Sequence, residues 1–181
     1  MATRLTLLCH GTLVRRPEVG FPADEPVDPA GLAAIPAVGR FDRVLSAPER
    51  RAQQTAEAIG PGAIVEPALR DCDYGTWRGR SLGEIGAGDP DGTAAWLADP
   101  SAAPHGGESI VDLIHRVGAW LDAGLKPGHT VGVTHPAVIR AVLVHALGAP
   151  PAAFWRIDVE PLSIADLRHN AGRWTLRALG R

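Results

Sequence analysis

Cysteine is scarce in this chain of 181 residues, which carries only Cys9 and Cys72. Two thiols are too few for a disulfide framework, and they lack the repeated pair spacing that structural zinc uses. A reducing, cytoplasmic setting is therefore expected. An excess of charge is missing too: 18 Lys and Arg against 20 Asp and Glu leave a formal charge of −2. That balance offers no basic footprint for nucleic acid. No apolar run approaches the roughly 18 residues of a membrane span, and the opening residues read as a core strand, not a leader. Neither a nucleic-acid nor a membrane partner is expected. Helical His-x-x-x-His pairs and cysteine clusters are also absent, so no pattern calls for a metal or another cofactor. The length suits one domain over residues 1–181.

What the chain does contain is an alternation of strand and helix signals. The apolar run Leu5-Thr6-Leu7-Leu8 reads as a strand, and Leu13 to Pro36, with five prolines, reads as a long loop with a short helix near Gly31 to Ala37. Arg43 to Leu45 is a short strand, Pro48 to Ile59 a helix of strong helix formers, and Ala63 to Glu66 another short strand. Turn signals make Leu69 to Arg80 a loop. Between Leu82 and Pro104 the glycines and prolines leave room for one short helix around Thr93 to Leu97. Ile110, Ile114, Val117 and Leu121 form the apolar stripe of a helix over Ser109 to Leu121. Thr130 to Thr134 is a buried-type strand, and Ala137 to Leu147 an apolar helix behind Pro136. Two last strands, Ser163 to Leu167 and Trp174 to Ala178, flank a turn at Asn170-Ala171-Gly172. The order predicts an α/β fold, its sheet mostly parallel with an antiparallel element at one edge.

Chemistry gathers at strand ends. His10, in Cys9-His10-Gly11-Thr12, and His135, in Thr134-His135-Pro136, each follow an apolar strand and precede a turn of small residues. Strand carboxyl ends of an open α/β sheet converge on one ligand crevice, so the two rings are expected to face a shared ligand. Gly11 lets backbone approach that ligand closely. Arg51, early in the helix after another strand end, presents a guanidinium suited to clamping phosphoryl oxygens in pairs. Arg50 reads as a surface residue. Because Pro136 lacks an N–H, a backbone donor at the helix start has to come from Ala137 or beyond. Of the other histidines, His105 is the next candidate through its place before Gly106-Gly107-Glu108-Ser109, whereas 115, 129, 145 and 169 read as structural or exposed.

Taken in order, Leu7-Leu8-Cys9-His10-Gly11-Thr12, Ser46 to Ala56, Leu69 to Gly79, Gly106-Gly107-Glu108-Ser109 and Val133-Thr134-His135-Pro136 span almost the whole chain. In these segments the chain resembles the histidine phosphatase superfamily, the phosphoglycerate-mutase-like branch. The resemblance implies a three-layer α/β/α sandwich and a metal-independent phosphatase acting on a small phosphomonoester. By the family pattern His10 is the nucleophile that becomes phosphohistidine, Arg51 a phosphate clamp, His135 a second phosphate contact, and Asp71 the acid that protonates the leaving oxygen. Cys9, Gly11, Thr12, Arg15, Arg16 and Ala137 would surround the substrate. Two departures stand out. Asp71 takes the place of a glutamate, with Asp73 as a competing acid. Cys9 occupies the position that usually holds arginine before the nucleophile, a vacancy that Arg15 or Arg16 could fill. The competing reading is an impaired or repurposed member that binds a phosphorylated ligand or a protein partner.

Overall fold

The computed structural model describes residues 3–14 and 20–180. Arg15 and Arg16 lie outside the described residues. Among those described, six strands form one sheet in the order β3-β2-β4-β1-β5-β6. They are β1 (Thr3–Cys9), β2 (Arg43–Ser46), β3 (Ile64–Val65), β4 (Gly128–Thr134), β5 (Ile164–Asn170) and β6 (Arg173–Gly180). β1 pairs in parallel with β4, β4 with β2 and β2 with β3, whereas β5 runs antiparallel to both β1 and β6. The fold is α/β with a mostly parallel sheet and an antiparallel edge pair, as the alternation predicts.

The burial of β1 shows why both sheet faces are covered. Leu5, Thr6, Leu7, Leu8 and Cys9 are all buried although alternate residues point to opposite faces. The covering helices are α1 (Pro29–Ala33), α2 (Arg50–Ile59), α5 (Ile110–Asp122) and α6 (Pro136–Ala146), of which α5 and α6 pack on each other and α2 packs against β2 and β4. The expected stripe of α5 goes inward: Ile110, Ile114, Val117 and Leu121 are all buried. Register in the parallel half places Cys9 opposite Thr134 and Ser46 opposite Val133. The strand ends leading into His10, Ala47 and His135 therefore lie side by side.

Several boundaries differ from the sequence expectation, each for a local reason. α1 begins at Pro29 because the Asp28 carboxylate caps the N–H of Ala30 and proline suits the first helical position. α2 starts only at Arg50, which leaves Pro48 and Glu49 outside the helix. The segment after Leu82 holds two helices, α3 (Leu82–Gly88) and α4 (Pro90–Ala98), where one short helix is expected. Three glycines should weaken α3 by about 1 kcal/mol each. They are offset by a reciprocal capping box between Ser81 and Glu84 and by burial of Ile85 in a second hydrophobic cluster with Phe21, Trp77 and Trp96. Asp89 then caps α4 at Gly92. At the hairpin between β5 and β6, Ala171 and Gly172 both take positive φ, as a primed turn requires.

The capping box generates a stability prediction. Ser81→Ala should cost about 1 kcal/mol and should raise amide exchange in α3 more than in α5, as read by denaturant titration and hydrogen exchange.

Candidate active site

The site grows from three adjacent strand ends and one loop. His10 leaves β1, its N–H bonded to Thr134 O at 2.9 Å. Its ring is buried, and Nδ1 lies 2.8 Å from the carbonyl of Gly11. A carbonyl only accepts, so Nδ1 carries the proton and Nε2 keeps its lone pair. Gly11 donates its own N–H to Thr55 Oγ1 at 3.0 Å, and that hydroxyl donates to Arg51 O at 2.8 Å. The turn after β1 is thus tied to the first turns of α2.

Arg51 is 1% exposed, and its guanidinium is divided among its neighbours. Nη2 donates to Asp71 Oδ2 at 2.6 Å, Nε donates to His135 Nδ1 at 3.2 Å, and Nη1 reaches Ala23 O at 3.4 Å. His135 is the N-cap residue of α6. Its Nε2 lies 2.8 Å from Glu49 Oε2, so the ring donates to the carboxylate while accepting from arginine. The rings of His10 and His135 have centroids 5.2 Å apart. Glu49 also accepts the N–H of Asp71 through Oε1 at 3.0 Å. One carboxylate therefore orients both the second histidine and the loop that carries Asp71.

That loop is held from behind. Arg116 makes a paired contact with Glu108, at 2.7 and 2.8 Å, and donates to the carbonyls of Ala68, Arg70 and Asp71. The segment around Gly107 packs so closely on it that a Cβ at Gly107 would come within 2.0 Å of Asp73 O, and one at Gly75 within 2.1 Å of His105 O. His105 belongs to this brace. It is buried, accepts the N–H of Gly107 at 3.0 Å, and packs on Trp77 with centroids 5.1 Å apart.

The structure brings His10, Arg51, Asp71 and His135 together. Asp73 is exposed and caps Gly75 N–H, outside this group. Ala137 joins His10 and Asp71 in the wall of a cavity of about 320 Å³. Thr12 borders a separate cavity with Ala34, Pro36, Pro161 and Leu162. Cys9 is fully buried in the main core, and burial, reinforced by Asp71, pushes its thiol up to about 12. Cys72 is also a buried free thiol, with Sγ directed at Glu108 O. Among the described residues, no three His, Cys, Asp or Glu side chains gather into a metal-holding group, and no helix is long and apolar enough to cross a membrane. Sequence reasoning missed Glu49. An acidic residue at a helix start reads as an ordinary partner of the helix dipole, and only the fold reveals its contacts with His135 and Asp71.

The sequence model of the histidine phosphatase superfamily, branch 1, matches residues 5–181. The chain belongs to the histidine phosphatase superfamily. A superfamily relative, the glucosyl-3-phosphoglycerate phosphatase of Mycolicibacterium vanbaalenii, is 30% identical over 75% of this chain and 74% of that protein. A bifunctional protein of Mycobacterium tuberculosis is 33% identical over 71% of this chain, and the chain spans 38% of its length. The solved alpha-ribazole phosphatase of Shigella flexneri shares this fold with a TM-score of 0.80, covering 98% of this chain and 96% of its own at 24% identity.

Burial, and then the neighbouring His135, lower His10 from 6.5 to about 3. The folded protein refuses a proton that the unfolded chain accepts below 6.5, so this contribution to stability is complete above 6.5 and drains as pH falls toward 3. The slope from this group is at most about 1.4 kcal/mol per pH unit. Burial opposes ionisation of Glu49, but its hydrogen bond to His135 and their mutual attraction win and hold the carboxyl at about 2, adding a further loss below 4.5. Urea titrations of His10→Asn across this range should show a flatter acid slope than the parent, with the Glu49 part retained.

Proposed function

We propose that residues 1–181 act as one histidine phosphatase domain that hydrolyses a small phosphomonoester through a phosphohistidine on His10, without a metal. The observation that carries this reading is the fixed tautomer of His10. Its Nδ1–H is committed to Gly11 O, which leaves the Nε2 lone pair free on a ring that lines the cavity with Asp71 and packs beside His135, the acceptor of Arg51 Nε–H. A neutral imidazole at ordinary pH is a competent nucleophile.

The steps follow from the contacts. An arriving phosphate competes with Asp71 and His135 for the Arg51 guanidinium and takes over its donors. Asp71, released from the guanidinium, stands beside the bound ester as its proton carrier. Nε2 of His10 then bonds to phosphorus as the phosphorus–oxygen bond to the alcohol breaks, and Asp71 gives its proton to the departing oxygen. Water, deprotonated by the Asp71 carboxylate, attacks the phosphohistidine and releases inorganic phosphate. The Arg51 guanidinium steadies the equatorial oxygens throughout, and His135, held by Glu49 through Nε2–H, stays packed beside the His10 ring.

Cys9 modifies the proposal. Where the family usually has arginine, a thiol removes one charge-assisted contact worth about 1.5 to 3 kcal/mol, or about ten- to a hundredfold in affinity or rate. If Arg15 or Arg16 restores that contact, its alanine variant should weaken inhibition by inorganic phosphate by about tenfold. Unchanged inhibition in both variants discards the substitution. The second reading, a member that binds without turnover, draws on the same vacancy and on Asp71 and Glu49, carboxylates that already occupy Arg51 and His135.

Three measurements test the enzymatic reading. Rapid quench with a labelled phosphomonoester should trap acid-labile phosphate on the parent protein and none on His10→Ala. Arg51→Ala should lower kcat/KM by about a hundredfold or more. Asp71→Asn should slow alkyl esters far more than nitrophenyl phosphate, whose leaving oxygen needs no proton. Absence of labelled protein and of turnover across a broad panel of esters leaves only the binding reading.

A further inference from the structure

The cavity beside His10 has a wall that the phosphoryl chemistry does not use. Away from His10 and Asp71 it is built from Phe21, Trp96, Phe154, Trp155 and the guanidinium-bearing Arg140. The rings meet edge to face: Trp96 and Trp155 have centroids 4.4 Å apart at 76°, and Phe154 and Trp155 5.0 Å apart at 86°. They come from distant parts of the chain, the loop before α1, helix α4, and the 3₁₀ turn Pro151–Arg156 that follows α6. At about 320 Å³ the space is at the small end of ligand pockets, which run from about 300 to 1,000 Å³.

Three N–H groups of its lining residues, the buried Trp96 Nε1, Trp155 Nε1 and Arg140 Nε, have no hydrogen-bond partner among the described residues. All three are donors. Arg140 lies with its Cζ 5.7 Å from the centre of the Phe154 ring, and its ion pair is a long one, 3.7 Å from Nη2 to the exposed Asp158. Buried donors without acceptors are costly, and an acceptor on a ligand recovers that cost. Beyond His10, Asp71 and the Tyr74 hydroxyl, the lining offers the hydroxyls of a polyol no side-chain acceptor. A flat ring carrying acceptor atoms meets both requirements, packing against aromatic edges while it receives the spare N–H groups.

We infer that this cavity is the leaving-group pocket and that it takes a planar aromatic or heteroaromatic group bearing hydrogen-bond acceptors. The substrate class is then a phosphomonoester of an alcohol carrying such a ring, in preference to a sugar or sugar-acid phosphate. This rests on the phosphomonoester reading above and narrows it.

The test separates the two. Binding is measured by calorimetry and by quenching of tryptophan fluorescence with three unreactive probes, quinolinylethylphosphonate, naphthylethylphosphonate and propylphosphonate. Turnover is measured with quinolinylethyl phosphate, naphthylethyl phosphate, glycerol phosphate and phosphoserine, all of which release alkoxides, so ring recognition is not confounded with leaving-group strength. The expected order is quinolinyl, then naphthyl, then propyl, with the aromatic probes at least about tenfold tighter than propyl. Arg140→Met should close the gap between quinolinyl and naphthyl while keeping the preference for a ring. Aromatic probes that bind within about threefold of propylphosphonate, or faster turnover of glycerol phosphate or phosphoserine, overturn the pocket and leave the hydrolase reading intact. Equal binding of quinolinyl and naphthyl probes overturns the role of the spare donors. Ring-selective binding with no turnover of any ester supports the pocket and sinks the hydrolase, and failure of every probe and every ester overturns both.

Discussion

A guanidinium that water cannot reach is the constraint around which this molecule is arranged. Removing an ion such as Arg51 from solvent costs several kcal/mol unless its hydrogen bonds are met with good geometry. Asp71, His135 and Ala23 meet them, and each comes from a different segment. To deliver those partners the sheet must bring the ends of β1, β2 and β4 into line, and the loop after the short strand β3 must fold back over them. Arg51 in turn holds Asp71 and His135 in position with its own donors.

Positioning Asp71 takes two further layers of support. From the front, Glu49 accepts its backbone N–H. From the back, Arg116 binds the carbonyls of Ala68, Arg70 and Asp71 itself and is fixed by the Glu108 carboxylate. The glycines at 75 and 107 allow the bracing segments to touch backbone to backbone. The motif Gly106-Gly107-Glu108-Ser109 thus acts through the loop that it supports, and Ser109 caps α5 as it leaves.

Legibility in the sequence followed the range of the interactions involved. β1 and β4 announce themselves as apolar runs, and α5 as a stripe, because local pattern and burial agree there. The pair α3 and α4 was legible only in part. Its glycines argue against helix, and what stabilises it is packing of Ile85 and Trp96 on Phe21 and Trp77, contacts that no local pattern reveals. At the site, His10, Arg51 and His135 could be found because each sits just beyond a strand. Thr12, expected beside them, lines another cavity. Glu49 and the aromatic wall could not be found by pattern, since their meaning lies in partners far along the chain.

Tyr74 and Trp155 pack against both hydrophobic clusters, the main core and the smaller one around Trp77. The cavity therefore lies along a seam between two apolar bodies that share only a few side chains. Such a seam sets the cooperativity of the fold: empty, it allows the smaller body to open while the larger stays formed. A molecule filling it acts as mortar, so that the two bodies melt as one unit. Occupancy of this space is then written into the number of steps by which the chain unfolds.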